Sequence, residues 1–358
     1  MRIEEIIKNI IPFEYRAKRA YKRFDENIVI YKGVTYRQYL EEALMSSRSD
    51  IYGEDLERLR YDIFRVWHKE KMRPDEYLLY NFDKKSERER AEYLSRHSKD
   101  HILINYYGET WKTVLELLKN KYSFSALLKP YFKRDIILLQ DDGDSDVFKD
   151  FCEKHDSFIC KPLKGNCGAG VHIIRIAESS VKICDIFQSL ISQGSWIIEE
   201  LILQNKAIAA FNESSINTVR FPSFRHGGRI EVAYPCMRFG RQGSIVDNAG
   251  QGGVFVSIDV NTGEIITDGY DERGNSYSVH PDSRLPFKGF MIPQWGELLE
   301  EIRKAHLSLP EEQVYVAFDF ALSEKGWMIV EGNWGDFILQ QASLNRGMRS
   351  EFMSLLEG

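Results

Sequence analysis

The sequence predicts an α+β protein built on antiparallel sheets, with a mainly helical region ahead of them. Three observations carry this. Residues 1–100 hold long charged stretches, such as "EDLERLRYDIFRVWHKEKMRPDEYLLYNF", with apolar residues at helical spacing. From residue 158 onward, apolar runs are joined by glycine-bearing turns, which is the pattern of hairpins. Between them, over 101–157, short apolar runs alternate with helical stretches.

The elements follow in order. "HILINYYG" reads as a short strand and "ETWKTVLELLKNKYSFSALLKPYF" as helix. "DIILLQ" is a strand, and "DDGDSDVFKDFCEKH" opens with a capping signal and continues as helix. "SFICKPL" and "VHIIRI" are strands flanking a glycine-rich loop, and "SWIIEELI" is a third. "INTVRFPSFRHGGRIEVAYPCMRF" is a hairpin turning at Gly227 and Gly228. "GGVFVSIDVNTGEIITDGYD" turns at Asn261, Thr262 and Gly263. "PQWGELLEEIRKAHLSLP" is a helix, and "VYVAFDFALSEKGWMIVEGNWG" is a last hairpin. Expected divisions are a helical region at 1–100, an α/β segment at 101–157, a small subdomain at 158–205 and a larger one at 206–358.

Composition removes several functions. A length of 358 residues suits two or three packed domains. The net charge of -6 argues against a phosphate-tracking nucleic-acid surface. Five scattered cysteines with no CxxC pair read as reduced thiols of a cytoplasmic protein. The eight histidines form no metal motif. No apolar run approaches the ~18 residues of a membrane span. The basic opening "MRIEEIIKNIIPFEYRAKRAYKRF" could touch an anionic membrane surface, but such a segment is more often a helix packed on its own domain.

The loop in "CKPLKGNCGAG" runs from strand to strand, so it fits neither a dinucleotide fingerprint nor a P-loop, both of which open a helix. Gly165, Gly168 and Gly170 could still bring backbone N–H groups onto a triphosphate, with Lys161 adding an ammonium. The same glycines also fit a plain turn. The last hairpin adds weight. A three-residue loop at Glu324, Lys325 and Gly326 pairs Ser323 with Trp327 and sets Asp319 opposite Glu331. Glu331 and Asn333 then share a face with Asp319. Facing like charges are destabilising, and a hard cation such as Mg²⁺ removes that cost through oxygen ligands. Acids that simply face water are the other reading. Glu199 and Glu200 end an apolar strand, where the backbone could meet an adenine.

In this order, "NKYSF", "KPLKGNCGAG", "IIEELI", "SSINTVRF", "MRFGRQGSIVDNAGQGGV", "HPDSRLPFKGFMIPQW" and "FDF…VEGNWG" resemble the ATP-grasp superfamily, and most closely its sugar-transfer-associated family. The resemblance covers about residues 115–345. It implies two α+β subdomains clasping ATP, with Mg²⁺ as the metal. Lys121 and Lys161 would hold the phosphates under a lid formed by Gly165, Gly168 and Gly170. Glu199, Glu200 and Leu201 would line the adenine pocket. Asp319, Glu331 and Asn333 would bind Mg²⁺. Arg220 and Arg238 would act with Asn333 at the reacting groups, although a surface ion pair also suits the two arginines. Asp247, Asn248, Gly252 and Gly253 would form a substrate-side loop. One departure stands out: the expected ribose-binding acid is missing from "QNKAIAAF", where Gln204 or Asn205 would have to substitute.

The chemistry implied is an ATP-dependent carboxylate–amine ligase working through an acyl phosphate. The family's association with sugar transfer suggests a sugar acid or amino acid in surface-polysaccharide biosynthesis. A kinase of the same fold and a non-catalytic nucleotide-binding module are the alternatives. Such ligases are often dimers, so a homodimer is allowed.

Overall fold

A computed structural model describes residues 13–31, 33–163, 170–176, 181–244, 252–335 and 337–358. The chain divides into two compact units. The first takes residues 1–106, 272–275 and 336–351, and the second takes the rest.

The first unit is helical among its described residues, apart from a two-stranded ribbon of β1 (Val29–Tyr31) and β2 (Val34–Thr35). The helix Gly53–Glu70 buries Leu59, Ile63, Phe64 and Val66, which is one stripe at helical spacing. Phe64 and Trp67 meet Phe24 and Tyr36 in an aromatic cluster with ring centroids 4.8 to 6.5 Å apart. The helix Ile338–Leu344 belongs to this unit, and its buried Gln341 anchors it. The Gln341 amide donates to Leu94 O and Tyr80 Oη, both at 2.9 Å, and its oxygen accepts from Leu94 N at 2.8 Å.

The segment 101–108, expected as a strand, is helical: it continues the helix Arg96–Tyr107 into a short 3-10 turn. Leu103 and Tyr107 are buried four residues apart while Asn105 and Tyr106 face out. Three-to-four periodicity overrides the apolar run.

The second unit holds two antiparallel sheets. The smaller has the order β3-β6-β4-β5, from β3 (Ile136–Leu139), β4 (Ser157–Pro162), β5 (His172–Arg175) and β6 (Trp196–Glu200). It thus recruits a strand from ahead of the expected break at residue 157. Phe158, Cys160, Trp196 and Ile198 face one side and pack on the helices Ser145–Lys154 and Ile183–Gln193. Ile159, Lys161, Ile197 and Glu199 alternate with them and face the other side.

The larger sheet has the order β12-β11-β10-β9-β7-β13-β14, with β8 paired to β7. Its strands are β7 (Thr218–His226), β8 (Arg229–Val232), β9 (Cys236–Phe239), β10 (Val254–Ser257), β11 (Gly269–Tyr270), β12 (Ser276–Tyr277), β13 (Tyr315–Ser323) and β14 (Gly326–Asn333). Val219, Phe221, Met237, Phe239, Val254, Val256, Phe318, Phe320 and Ile329 form one buried face against the helix Trp295–Leu307. The residues between them point the other way, and that second face carries the charges considered below.

The β13–β14 hairpin departs from the expected register in two compensating steps. Ser323 pairs with Gly326 and Leu322 with Trp327, one residue off the expectation. Gly326 takes φ +90°, which glycine adopts without strain, and Ser323 Oγ accepts from Lys325 N at 3.0 Å. A bulge after Phe320–Ile329 then inserts Val330 and restores Asp319 opposite Glu331. Without the bulge, Ile329 and Glu331 would share a face. With it, Ile329 enters the core and Glu331 faces out of it.

Two predictions follow from the packing of this unit. His306 is fully buried on the helix Trp295–Leu307, its Nδ1 2.7 Å from Ser223 Oγ and its Nε2 donating to Gln313 O at 2.7 Å. Burial pushes its pKa down to about 4, with Arg225 adding in the same direction against the bond to Gln313. The neutral ring is therefore the folded form. Its contribution is complete above the unfolded value near 6.5 and is lost as pH falls from there toward 4, about 3 kcal/mol in all. Urea unfolding at pH 7.5 and 4.5 should show this loss, and His306→Gln should flatten it. Second, a methyl group at Gly332 would overlap the ring of Phe124. Gly332→Ala should lower stability by about 1–3 kcal/mol in urea unfolding.

Candidate functional site

The site face of the larger sheet is built by register. β7 lies between β9 and β13, so Thr218 stands opposite Arg238, and Arg220 opposite both Cys236 and Asp319. β14 adds Glu331 and Asn333 beyond Asp319. The row therefore reads Arg238, Thr218, Arg220, Asp319, Glu331, Asn333 across four neighbouring strands.

Asp319 is fully buried and is the centre of the row. Arg220 donates from Nε to Oδ1 and from Nη2 to Oδ2, both at 2.8 Å, in a bidentate fork. Arg238 Nη2 donates to Oδ2 at 2.8 Å and is held from below by Thr218 Oγ1 at 2.7 Å. Asn333 Nδ2 donates to Asp319 Oδ2 at 3.2 Å and to Glu331 Oε1 at 3.1 Å, so the three side chains meet around one point. Burial pushes the Asp319 carboxyl up, but Arg220 and then Arg238 outweigh it and hold the pKa at about 2. The facing carboxylates expected from the hairpin are thus present, but the charge of Asp319 is met by two guanidinium groups. A cation is not needed to balance it. The two arginines, for which surface pairing was the other reading, lie in a largely buried ion pair.

The smaller sheet supplies a second cluster. Lys161 and Glu199 are diagonal neighbours on its outward face, with Nζ 2.8 Å from Oε1. Arg134, just ahead of β3, donates to Glu199 Oε2 from Nε at 3.0 Å and Nη2 at 2.6 Å. The same guanidinium donates to Ile329 O at 2.5 Å and reaches Val330 O at 3.4 Å. Those are the carbonyls at the β14 bulge. Burial raises the Glu199 pKa, Lys161 and Arg134 lower it, and the balance holds it at about 2. Burial pulls the Lys161 amine down against the opposing pull of Glu199 and, more weakly, Glu331.

The chain after β6 runs beside the hairpin tip. Asn205 N donates to Leu322 O at 2.9 Å and Glu324 N to Leu203 O at 3.1 Å. A cavity of about 70 Å³ opens there, lined by Arg134, Glu200, Leu201, Leu203, Lys325 and Met328 among others. Glu200 is tied at its rim to Lys325, 2.7 Å away.

Of the expected site residues, the structure gathers Arg220, Arg238, Asp319, Glu331 and Asn333 in one row. It places Lys161 and Glu199 in the second cluster, and Glu200 and Leu201 at the cavity. Gly170 has φ +76°, and a side chain there would press on Pro162. Gly252 also has a positive φ, of +91°, and Gly253 is buried. Gly165, Gly168, Asp247 and Asn248 lie outside the described residues. Lys121 opens the helix Lys121–Leu127, which packs through Phe124 against the opposite side of β14, at Gly332. Gln204 is bonded at both ends of its amide, and Asn205 Oδ1 caps a short helix, so both side chains have local structural work. Sequence reading missed Arg134 and Thr218. An arginine immediately before an apolar strand was the only available signal for the first.

A model of the sugar-transfer associated ATP-grasp family matches residues 105–352. No curated protein matches the sequence. Among 254 matching chains of solved structures is D-alanyl-alanine synthetase A from Vibrio cholerae O1 biovar eltor str. N16961. It is 12% identical over 66% of this chain and 63% of that one, with a TM-score of 0.40. The ATP-grasp ligase PsnB complexed with minimal precursor is 11% identical over 68% and 60%, with a TM-score of 0.41. D-Alanine-D-alanine ligase from Helicobacter pylori is 15% identical over 67% and 60%, with a TM-score of 0.38. This chain spans about three fifths of the length of those structures. The family match takes in more than two thirds of the chain and all of the clusters just described, and the chain belongs to the sugar-transfer associated ATP-grasp family.

Proposed function

We propose that the protein is an ATP- and Mg²⁺-dependent carboxylate–amine ligase. The observation that carries the reading is the charged row on one face of the larger sheet, backed by a fully packed core on the other. A rigid sheet holds Arg238, Arg220, Asp319, Glu331 and Asn333 at fixed spacing, as a reaction run by positioning and charge neutralisation requires.

The donor set fits the metal. Asp319, Glu331 and Asn333 offer hard oxygens, and the Asn333 amide already reaches both carboxylates. Turning that amide over would present its oxygen in place of its nitrogen. Bound there, Mg²⁺ would neutralise charge on the nucleotide phosphates. Lys161 would give one ammonium to the same phosphates. Arg220 and Arg238 would hold the γ-phosphate or the substrate carboxylate, both of which suit a planar fork. Lys121 would add a second lysine to the phosphates. The segment Glu199, Glu200 and Leu201 would offer backbone groups to the adenine at the cavity beside the hairpin tip. Gly165, Gly168 and Gly170 would close over the phosphates and exclude water. Asp247, Asn248, Gly252 and Gly253 would border the acceptor.

A carboxylate oxygen is a poor leaving group. Its attack on the γ-phosphorus breaks the bond to ADP and gives an acyl phosphate. An amine then attacks the carbonyl carbon and expels phosphate, leaving an amide after loss of a proton. The family's description names an association with sugar transfer, and by that analogy we take a sugar acid or an amino acid as one substrate. No helix among the described residues is long and apolar enough to cross a membrane.

The test is ADP formation with Mg²⁺-ATP and a panel of sugar acids and amino acids, singly and in pairs, with products read by mass spectrometry. ADP should appear only with a carboxylate and an amine together, with a product lighter by one water than their sum. Glu331→Gln should cut the rate about a hundredfold or more. A stable phosphorylated product from one acceptor alone would replace the ligase reading with a kinase.

A further inference from the structure

The first unit holds a cleft of its own, of about 570 Å³. That lies within the ~300–1,000 Å³ of small-ligand sites. One wall is a single stripe of the helix Gly53–Glu70, where Asp55, Arg58, Leu59 and Asp62 recur at steps of three and four. Asp50 and Tyr52 enter from the segment ahead of that helix. Tyr77 comes from the helix Pro74–Leu79 and Asp83 from the 3-10 turn Phe82–Lys84. A stripe that only packed on neighbours would be apolar along its length. Here Leu59 is its one buried apolar residue, and the positions around it are polar.

The floor of the cleft is fixed and its rim is open. At the floor, Asp62 accepts from the hydroxyl of the fully buried Tyr77, from Arg65 Nε at 2.9 Å and from Arg90 Nη2 at 2.8 Å. Those bonds hold the carboxylate in one orientation. At the rim, Asp50 makes no hydrogen bond or ion pair with a described residue. Asp55 Oδ1 accepts from Arg58 Nη1 at 3.2 Å, and Asp83 Oδ1 accepts from Arg48 Nη2 at 2.8 Å. The second oxygen of each has no donor among the described residues. Tyr52 is 82% exposed, so its ring presents a flat apolar face beside these oxygens.

These groups select a ligand by elimination. An anion is disfavoured, because four carboxylates line the cleft against one guanidinium. A metal ion needs oxygens that converge on one point. Among the described residues no three of these carboxylates bring oxygens within 4.8 Å of one another. A bare ammonium gains little, because Asp55, Asp62 and Asp83 already face Arg58, Arg90 and Arg48. What is left open is a spread of acceptors, with Arg58 and the Tyr52 hydroxyl as donors and an aromatic face beside them. A sugar ring matches all of it: each hydroxyl both donates and accepts, and the C–H face of the ring is apolar. We propose that this cleft in the helical unit is a carbohydrate-binding site, with Asp50, Asp55 and Asp83 accepting from ring hydroxyls and Tyr52 stacked on the ring. The inference adds a second binding site to the protein and stands apart from the ligase reading.

The experiment uses the full chain without nucleotide. The probes are the methyl glycosides of glucose, galactose and N-acetylglucosamine, with 1,4-diaminobutane as a cationic control. Binding is read by saturation-transfer NMR and titration calorimetry. At least one glycoside should bind, with a dissociation constant on the order of 1 mM or tighter. Tyr52→Ala and Asp50→Ala change exposed side chains, and circular dichroism checks that both variants fold. Each should weaken the glycoside about tenfold. Asp50→Asn, which keeps an acceptor oxygen, should recover part of the loss. No glycoside bound by the wild type overturns the proposal. So does a glycoside held equally well by the wild type and both folded alanine variants, because its site is then elsewhere. Binding of the diamine with no glycoside bound overturns it too, and leaves the cleft a cation trap. The ligase reading fails separately. A chain that binds a glycoside through Tyr52 and Asp50 yet forms no ADP with any substrate pair keeps the carbohydrate site and loses the ligase.

Discussion

The buried guanidinium of Arg134 is the contact on which the geometry of both clusters depends. It makes two bonds to Glu199, and its Nη1 donates to Ile329 O at the β14 bulge while Nη2 also reaches Val330 O. Glu199 in turn holds Lys161. One side chain therefore sets where the lysine points and where β14 breaks its pleat. A bulge exposes backbone groups that the ladder no longer satisfies, and a buried carbonyl without a donor is costly. Arg134 supplies the missing donor, and a neutral side chain of the same length could not also pair with Glu199. Lysine would keep the charge but lose the fork.

The bulge matters because it reconciles two demands on one strand. Trp327 and Ile329 must enter the core, and Glu331 and Asn333 must face away from it. Strict alternation would place all four on one face, since their positions differ by even numbers. One inserted residue, Val330, changes the parity once, between Ile329 and Glu331. Gly332 then falls on the core side, where only a residue without a side chain fits under Phe124. The acidic end of the hairpin and its apolar end are thereby served by a single strand.

This explains how far the sequence could be read. The facing of Asp319 and Glu331 was legible, but for an incomplete reason. A regular hairpin with Ser323 opposite Trp327 and the real hairpin with a shifted tip and a bulge give the same pair at that position. Apolar runs located the strands β4, β6, β7 and β13, because alternation is a local property. The neighbours of Asp319 across the sheet were another matter. Arg220 is 99 residues away in sequence and Arg238 is 81. Only the strand order brings them to one carboxylate, and no local pattern encodes it. "HILINYYG" misled for the opposite reason. A short apolar run has no periodicity of its own until Leu103 and Tyr107 are seen to be the buried pair.

The charge balance of the row also limits what it can be for. Two arginines, one buried aspartate and one half-buried glutamate sum to no net charge, so the row would neither attract a cation strongly nor repel an anion. A purely structural ion pair could be replaced by apolar side chains at little cost to the fold, and the opposite face of the same strands shows that such packing is available. Keeping charge here carries a desolvation penalty that packing alone does not require. What the charges add is the capacity to change partners: in the proposed function each guanidinium would exchange a carboxylate for a phosphate, and Asp319 a guanidinium for a metal. A neutral network with interchangeable partners suits the proposed site for Mg²⁺ and phosphate, and the rigid sheet behind it would keep both exchanges local.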